Sequence, residues 1–178
     1  MNQTIERTAL THLVTNEEFA RKVLPHIKSD YFSDRTERTI FEEIEKFVDK
    51  YKKIPTQTSL EIEVQSRKDL NEDDYKKVAE VIRTLKETEV DFEWLVNTTE
   101  QFCKDKAVYN AIVEGIQIID GKDKERGADA IPSILTDALA VGFDNSVGHD
   151  YLLDADARFE YYHTIEEKIP FDLEFFNR

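Results

Sequence analysis

The 178-residue sequence has one cysteine, five glycines and four prolines. Cys103 alone can form neither an internal disulfide nor a structural zinc site. So few glycines and prolines leave little turn chemistry for a many-stranded protein. No run of about 18 apolar residues occurs that would span a membrane. Residues 1–14 carry an early acid and no continuous apolar stretch, unlike a secretory signal. Positive charge is also short. The 24 Lys and Arg face 38 Asp and Glu, net −14, which argues against a protein that coats DNA through a basic surface. The deficit is uneven: residues 1–90 hold 16 basic and 19 acidic side chains, and residues 91–178 hold 8 and 19.

What is present is helical periodicity. Apolar residues recur at spacings of three and four nearly throughout, which predicts an all-α fold. Ile5, Ala9, Leu10 and Leu13 predict a first short amphipathic helix. Thr15 with Glu18 fits a capping box for a helix over 16–24 that buries Phe19 and Val23 and ends at Pro25. Asp34 with Glu37 opens a helix carrying Ile40, Ile44, Phe47 and Val48, stopped at Ile54-Pro55. Thr58 with Glu61 predicts one further start, and Asn71 with Asp74 another, whose stripe is Tyr75, Val78, Val81, Ile82 and Leu85. These helices make up a globular region over 1–90.

The longest periodic segment is 91–120, roughly 45 Å if helical, and Gly121 ends it. After a charged loop, Ile131-Pro132 starts a return helix with Ile134, Leu135, Ala138 and Leu139. Residues 91–142 therefore predict a helical hairpin whose far end projects or meets a partner. Phe102, Tyr109, Val113 and Ile116 are its candidate self-association residues. Glycine and an Asp-Asn-Ser cluster mark 143–150 as a linker. An isolated amphipathic helix is expected over 151–168. Its stripe of Tyr151, Leu152, Ala155, Phe159, Tyr162 and Ile165 suits docking in a groove of another chain or domain; folding back on its own domain is the other reading. Residues 169–178 switch to strand-like alternation, as though a further domain were about to begin.

A search for chemistry finds little. The stretch from Gly115 to Gly121-Lys122 misses the phosphate-binding loop pattern: its glycine spacing is one residue too long, Asp123 replaces the hydroxyl, and it follows a helix. No catalytic, cofactor-binding or metal-ligating set is expected in this segment. His12, His26, His149 and His163 contain no metal-ligand pair, and His163 with Glu166 or Glu167 is too few ligands for zinc. Asp150 reads as a helix cap. Cys103 falls on the apolar stripe of the long segment and reads as core. The pairs Asp154/Asp156 and Glu61/Glu63 are two apart, so on a helix they face different directions. Arg35, Arg38, Lys50, Lys52 and Lys53, with Tyr51 among them, form the best basic cluster. It is a candidate nucleic-acid or partner patch, although lysines at a helix C-terminus also complement the helix dipole.

The order of the last third is the most specific feature. Val147-Gly148-His149-Asp150-Tyr151, then Ala157-Arg158-Phe159, Tyr162 and Ile169-Pro170-Phe171-Asp172-Leu173 resemble the DnaB-type hexameric replicative helicases of T-even-type phages. Ala130-Ile131-Pro132, Trp94-Leu95-Val96 and the opening helices are also similar. The resemblance implies an all-helical N-terminal collar, a linker carrying one helix, and a RecA-like motor to which 169–178 would lead. It further implies self-association into dimers or a hexameric ring, and docking of the linker helix on a neighbouring motor domain. A primase and a helicase loader would be partners. ATP and Mg would bind in the motor, DNA would be gripped mainly there, and the site of action would be the cytoplasm of an infected bacterial host. Two other classes compete with this reading. One is a free-standing acidic regulator that mimics DNA, suggested by the net charge; the other is an enzyme using a carboxylate pair.

Overall fold

The computed structural model describes residues 2–86, 88–123 and 125–143. The expected linker from residue 144 onward, the helix over 151–168 and the alternating segment 169–178 lie outside the described residues. Seven α-helices follow in order among them: α1 (Asn2–Thr15), α2 (Glu17–Val23), α3 (Arg35–Tyr51), α4 (Gln57–Gln65), α5 (Glu72–Thr84), α6 (Phe92–Ile119) and α7 (Ile131–Leu139). No strand occurs among the described residues, and the fold is all-α.

Local side-chain chemistry sets most helix starts. Asp34 Oδ1 accepts from the backbone N–H of Thr36 and Glu37. Asn71 caps α5 through the N–H of Asp74, and Asp91 caps α6 through that of Trp94. Two expected caps sit elsewhere. Thr15 remains inside α1, its hydroxyl donating to the Thr11 carbonyl, so Asn16 accepts from Phe19 N–H and starts α2. Likewise Thr56, not Thr58, caps α4, accepting from Ser59 N–H. Gly121 closes α6 at φ 69, where a side chain would be strained.

Residues Met1–Phe143 are one compact unit. Its core draws Leu10 and Leu13 from α1, Phe19 and Val23 from α2, and Ile40, Phe41 and Ile44 from α3. From α5 and the first half of α6 come Ile82, Leu95, Phe102 and Cys103. Phe32 stacks on Phe41 with ring centres 5.0 Å apart and leans on Phe102 at 6.4 Å. The hairpin therefore grows out of the same core as the first five helices. Phe143, expected to begin the linker, is buried instead: its ring stacks on His26 at 5.1 Å and its N–H donates to Glu100 Oε1.

A buried polar network ties α1, α3 and α6 together. Glu6 on α1 is fully buried. Its carboxylate accepts from Ser33 N–H at 3.2 Å and Ser33 Oγ at 3.1 Å, and pairs with Lys106 Nζ of α6 at 3.1 Å. Beside it Glu37 of α3 is also buried; one oxygen meets Arg7 Nε at 3.2 Å and the other has no hydrogen-bond partner among the described residues. Burial pushes the Glu37 carboxyl up to about 7, against the pull of Arg7, and Glu6 and Asp34 add to the rise. A second tie joins α3 to the α4–α5 connection, where Arg67 reaches Glu42, Glu43 and Asp69. Its guanidinium draws the Asp69 carboxyl down to about 2.

Glu6→Ala should therefore lower stability by about 3 kcal/mol, because Lys106 and the Ser33 donors lose their common acceptor. Urea denaturation measures it, and a loss below about 1 kcal/mol would deny the network that weight. Glu37 binds its proton more tightly folded than unfolded. Its contribution is thus complete below about pH 4.5 and lost as pH rises through about 7. Urea midpoints taken across this range should fall with rising pH, and fall less in Glu37→Gln.

Candidate assembly interface

The hairpin is built from a 28-residue α6, about 42 Å long, and the nine-residue α7 that returns along its second half. Ala107, Ala111 and Gly115 place small side chains four apart on the face toward α7, where Ile134, Leu135 and Ala138 pack. A Cβ at Gly115 would stand 3.5 Å from Ile131 Cγ2, so α7 lies in direct contact there. At the distal end Arg126 pairs with Glu114 and, at 2.8 Å, with Asp123, holding the connecting loop against α6.

A second face of α6, about 120° round the helix from the one toward α7, is apolar and bare. Tyr109, Ile112, Ile116 and Ile119 are 64, 50, 52 and 71 % exposed. At 100° per residue these four fall within about 80° of one another. Leu139 on α7 is 72 % exposed. A contiguous row of large hydrophobic side chains on one helix face is what an interface presents, whereas scattered exposed ones need no explanation.

Of the hairpin residues expected to self-associate, Tyr109 and Ile116 lie on this row and Val113 is half-buried beside it. Phe102 does not. It falls on the same line of α6 as Tyr109, two turns earlier, but there α1 and Phe32 cover the helix and leave it 6 % exposed. Ile112 and Ile119 were not singled out as interface residues. The signal was available: 108–119 is apolar on more than one face, and a core takes only one of them.

The basic residues do not form one patch. Arg35 and Arg38 sit at the start of α3 and Lys50 at its end, roughly 20 Å away. Arg35 approaches Asp74 at 3.8 Å and Arg38 donates to the Phe32 carbonyl. Lys50 lies over the Tyr51 ring at 4.8 Å, and Lys52 and Lys53 border a groove between α2 and α3. The stripe Tyr151, Leu152, Ala155, Phe159, Tyr162 and Ile165 lies outside the described residues. Cys103 is fully buried, and burial, with Glu100 adding to it, pushes its thiol up to about 12. No group of three His, Cys, Asp or Glu among the described residues could hold a metal, and no described helix is long and apolar enough to cross a membrane.

The sequence that makes this helical head and hairpin is similar to known proteins. The family described as DnaB-like helicase N-terminal domain matches residues 1–97, just over half of the sequence. The chain belongs to this family. It is also 30 % identical, over 177 aligned residues covering 95 % of its length, to the DnaB-like replicative helicase of Enterobacteria phage T4. It spans 37 % of that helicase. The family match takes in α1 to α5 and the first turn of α6. The similarity to the phage helicase runs on through the hairpin.

In the folded DnaB-type domain Cys103 should be inert to an aromatic disulfide reagent and should react once urea unfolds the chain. Rapid labelling under native conditions, read by thiol absorbance, would contradict its place in the core.

Proposed function

We propose that this chain is the assembly domain of a phage replicative helicase and that its hairpin pairs with the hairpin of a second copy. The bare row on α6 carries this reading. Tyr109, Ile112, Ile116 and Ile119 supply an apolar strip at the distal half of a helix whose proximal half is already covered. Burying such a strip against its own copy removes it from water without any catalytic group, and this segment offers no phosphate-binding loop.

In the parent protein the domain would gather motor domains into a ring, dimer by dimer. ATP and Mg would bind in those motors. Their hydrolysis would drive 5′–3′ movement along the lagging-strand template and open the fork. The domain would meet a primase and a helicase loader in the cytoplasm of the infected host. Similarity to a DnaB-like replicative helicase over 95 % of the chain supports this reading. The acidic-mimic alternative is not favoured. Many of the acids it would need are engaged with bases of this chain, as Glu42, Glu43 and Asp69 are with Arg67.

Sedimentation velocity over a wide concentration range tests the pairing. The native chain should associate reversibly, and Ile116→Glu should weaken that association at least about tenfold, with unchanged helix content by circular dichroism. Tyr109→Glu should act in the same direction. A native chain that stays monomeric throughout, or association indifferent to both substitutions, would overturn it.

A further inference from the structure

Away from the hairpin, the surface between α2 and the C-terminal half of α3 sinks into a groove of about 580 Å³. Half-buried Leu24, Val48 and Ile54 and exposed Pro25 form its apolar walls over the more deeply buried Ala20 and Ile27. That volume takes two large aliphatic side chains, the anchors a short amphipathic helix presents one turn apart.

The rim is unusual for this protein. Arg21, Lys28, Lys52 and Lys53 stand against Glu17, Glu45 and Asp49, so the groove is locally positive on a chain of net −14. Pairing leaves the excess free. Arg21 is held by Glu17 at 2.6 Å and Lys52 lies 4.0 Å from Asp49, while Lys28, Lys53 and the acid Glu45 have no ion-pair partner among the described residues, an excess of one cation. Lys52 closes α3 in the left-handed conformation, φ 54, a position where glycine is the usual residue. A lysine there keeps a cation at the mouth of the groove.

We propose that this groove docks a short amphipathic helix of a partner protein, one whose apolar stripe is flanked by acidic residues. Two leucine-sized side chains would seat on Leu24, Val48 and Ile54, and the flanking carboxylates would meet Lys28 and Lys53. Single-stranded nucleic acid fits less well, because no aromatic ring lines the groove to stack a base. The proposal is independent of hairpin pairing.

The test uses a short fluorescein-labelled helical peptide with leucines at i and i+4 between glutamates, and a twin with lysines in place of the glutamates. Fluorescence anisotropy reads affinity, and amide shifts in nuclear magnetic resonance locate the site. The glutamate peptide should bind with shifts at Leu24, Val48 and Ile54, and its twin should bind at least roughly tenfold more weakly. Lys28→Glu combined with Lys53→Glu, both at exposed positions, should reverse that preference without changing the fold. The hairpin variant Ile116→Glu should bind like the native chain, so failure of the pairing and failure of this docking are separable. The proposal is overturned if neither peptide binds, if binding ignores the two lysine substitutions, or if the shifts fall elsewhere. It is likewise overturned if an oligonucleotide or a second copy of the chain occupies the groove in preference to the peptide.

Discussion

A helix of 28 residues is about 42 Å long, and the core made by five short helices covers only its first half. The rest of the architecture answers to that mismatch. Along the covered half, Leu95, Val96, Phe102 and Cys103 belong to the common core. Beyond Lys106 the core narrows to Ala107 and Ala111, and α7 folds back to shield that side with Ile131, Ile134, Leu135 and Ala138. Nothing among the described residues shields the other side. The hairpin is thus half of a packing solution, and its bare face follows from helix length as much as from composition.

Holding such a lever at a fixed angle requires attachments near the point where it leaves the core. Lys106 supplies one, bonded to the buried Glu6 carboxylate and donating to Ser33 Oγ. Asn110, one turn on, donates to the Asp30 carbonyl and carboxylate. Phe143, after the return helix, adds an apolar anchor against His26. Charged groups buried this way seldom add much net stability over an apolar alternative, but a misplaced one is costly. They therefore select one orientation of α6 over its neighbours. If the hairpin pairs as proposed, this orientation would set the geometry of the pair.

The two surfaces left for partners differ in kind. The hairpin row is one tyrosine and three isoleucines with no charged side chain among them, suited to an identical strip. The α2–α3 groove is apolar within and cationic at the rim, and so selects for charge as well as shape. They lie on different elements, so occupation of one need not block the other.

The sequence alone determined what is local. Periodicity specified the helices, and Asp34 and Asn71 announced two starts because a cap involves only residues two or three apart. Gly121 marked the end of α6 for the same reason. Even the exceptions were local: whether Thr15 or Asn16 caps α2 depends on how far α1 runs before its last hydroxyl turns inward. Only the tertiary structure decided which apolar residues are spent on the core. Phe102 and Tyr109 share one line of α6, yet one is covered by α1 and Phe32 and the other is bare. The basic residues that look clustered in sequence are parted by the length of α3, and Glu6 becomes a buried hub only because Ser33 and Lys106 arrive from distant parts of the chain. Burial is set by what lies on top of a residue, and no spacing within one helix encodes that.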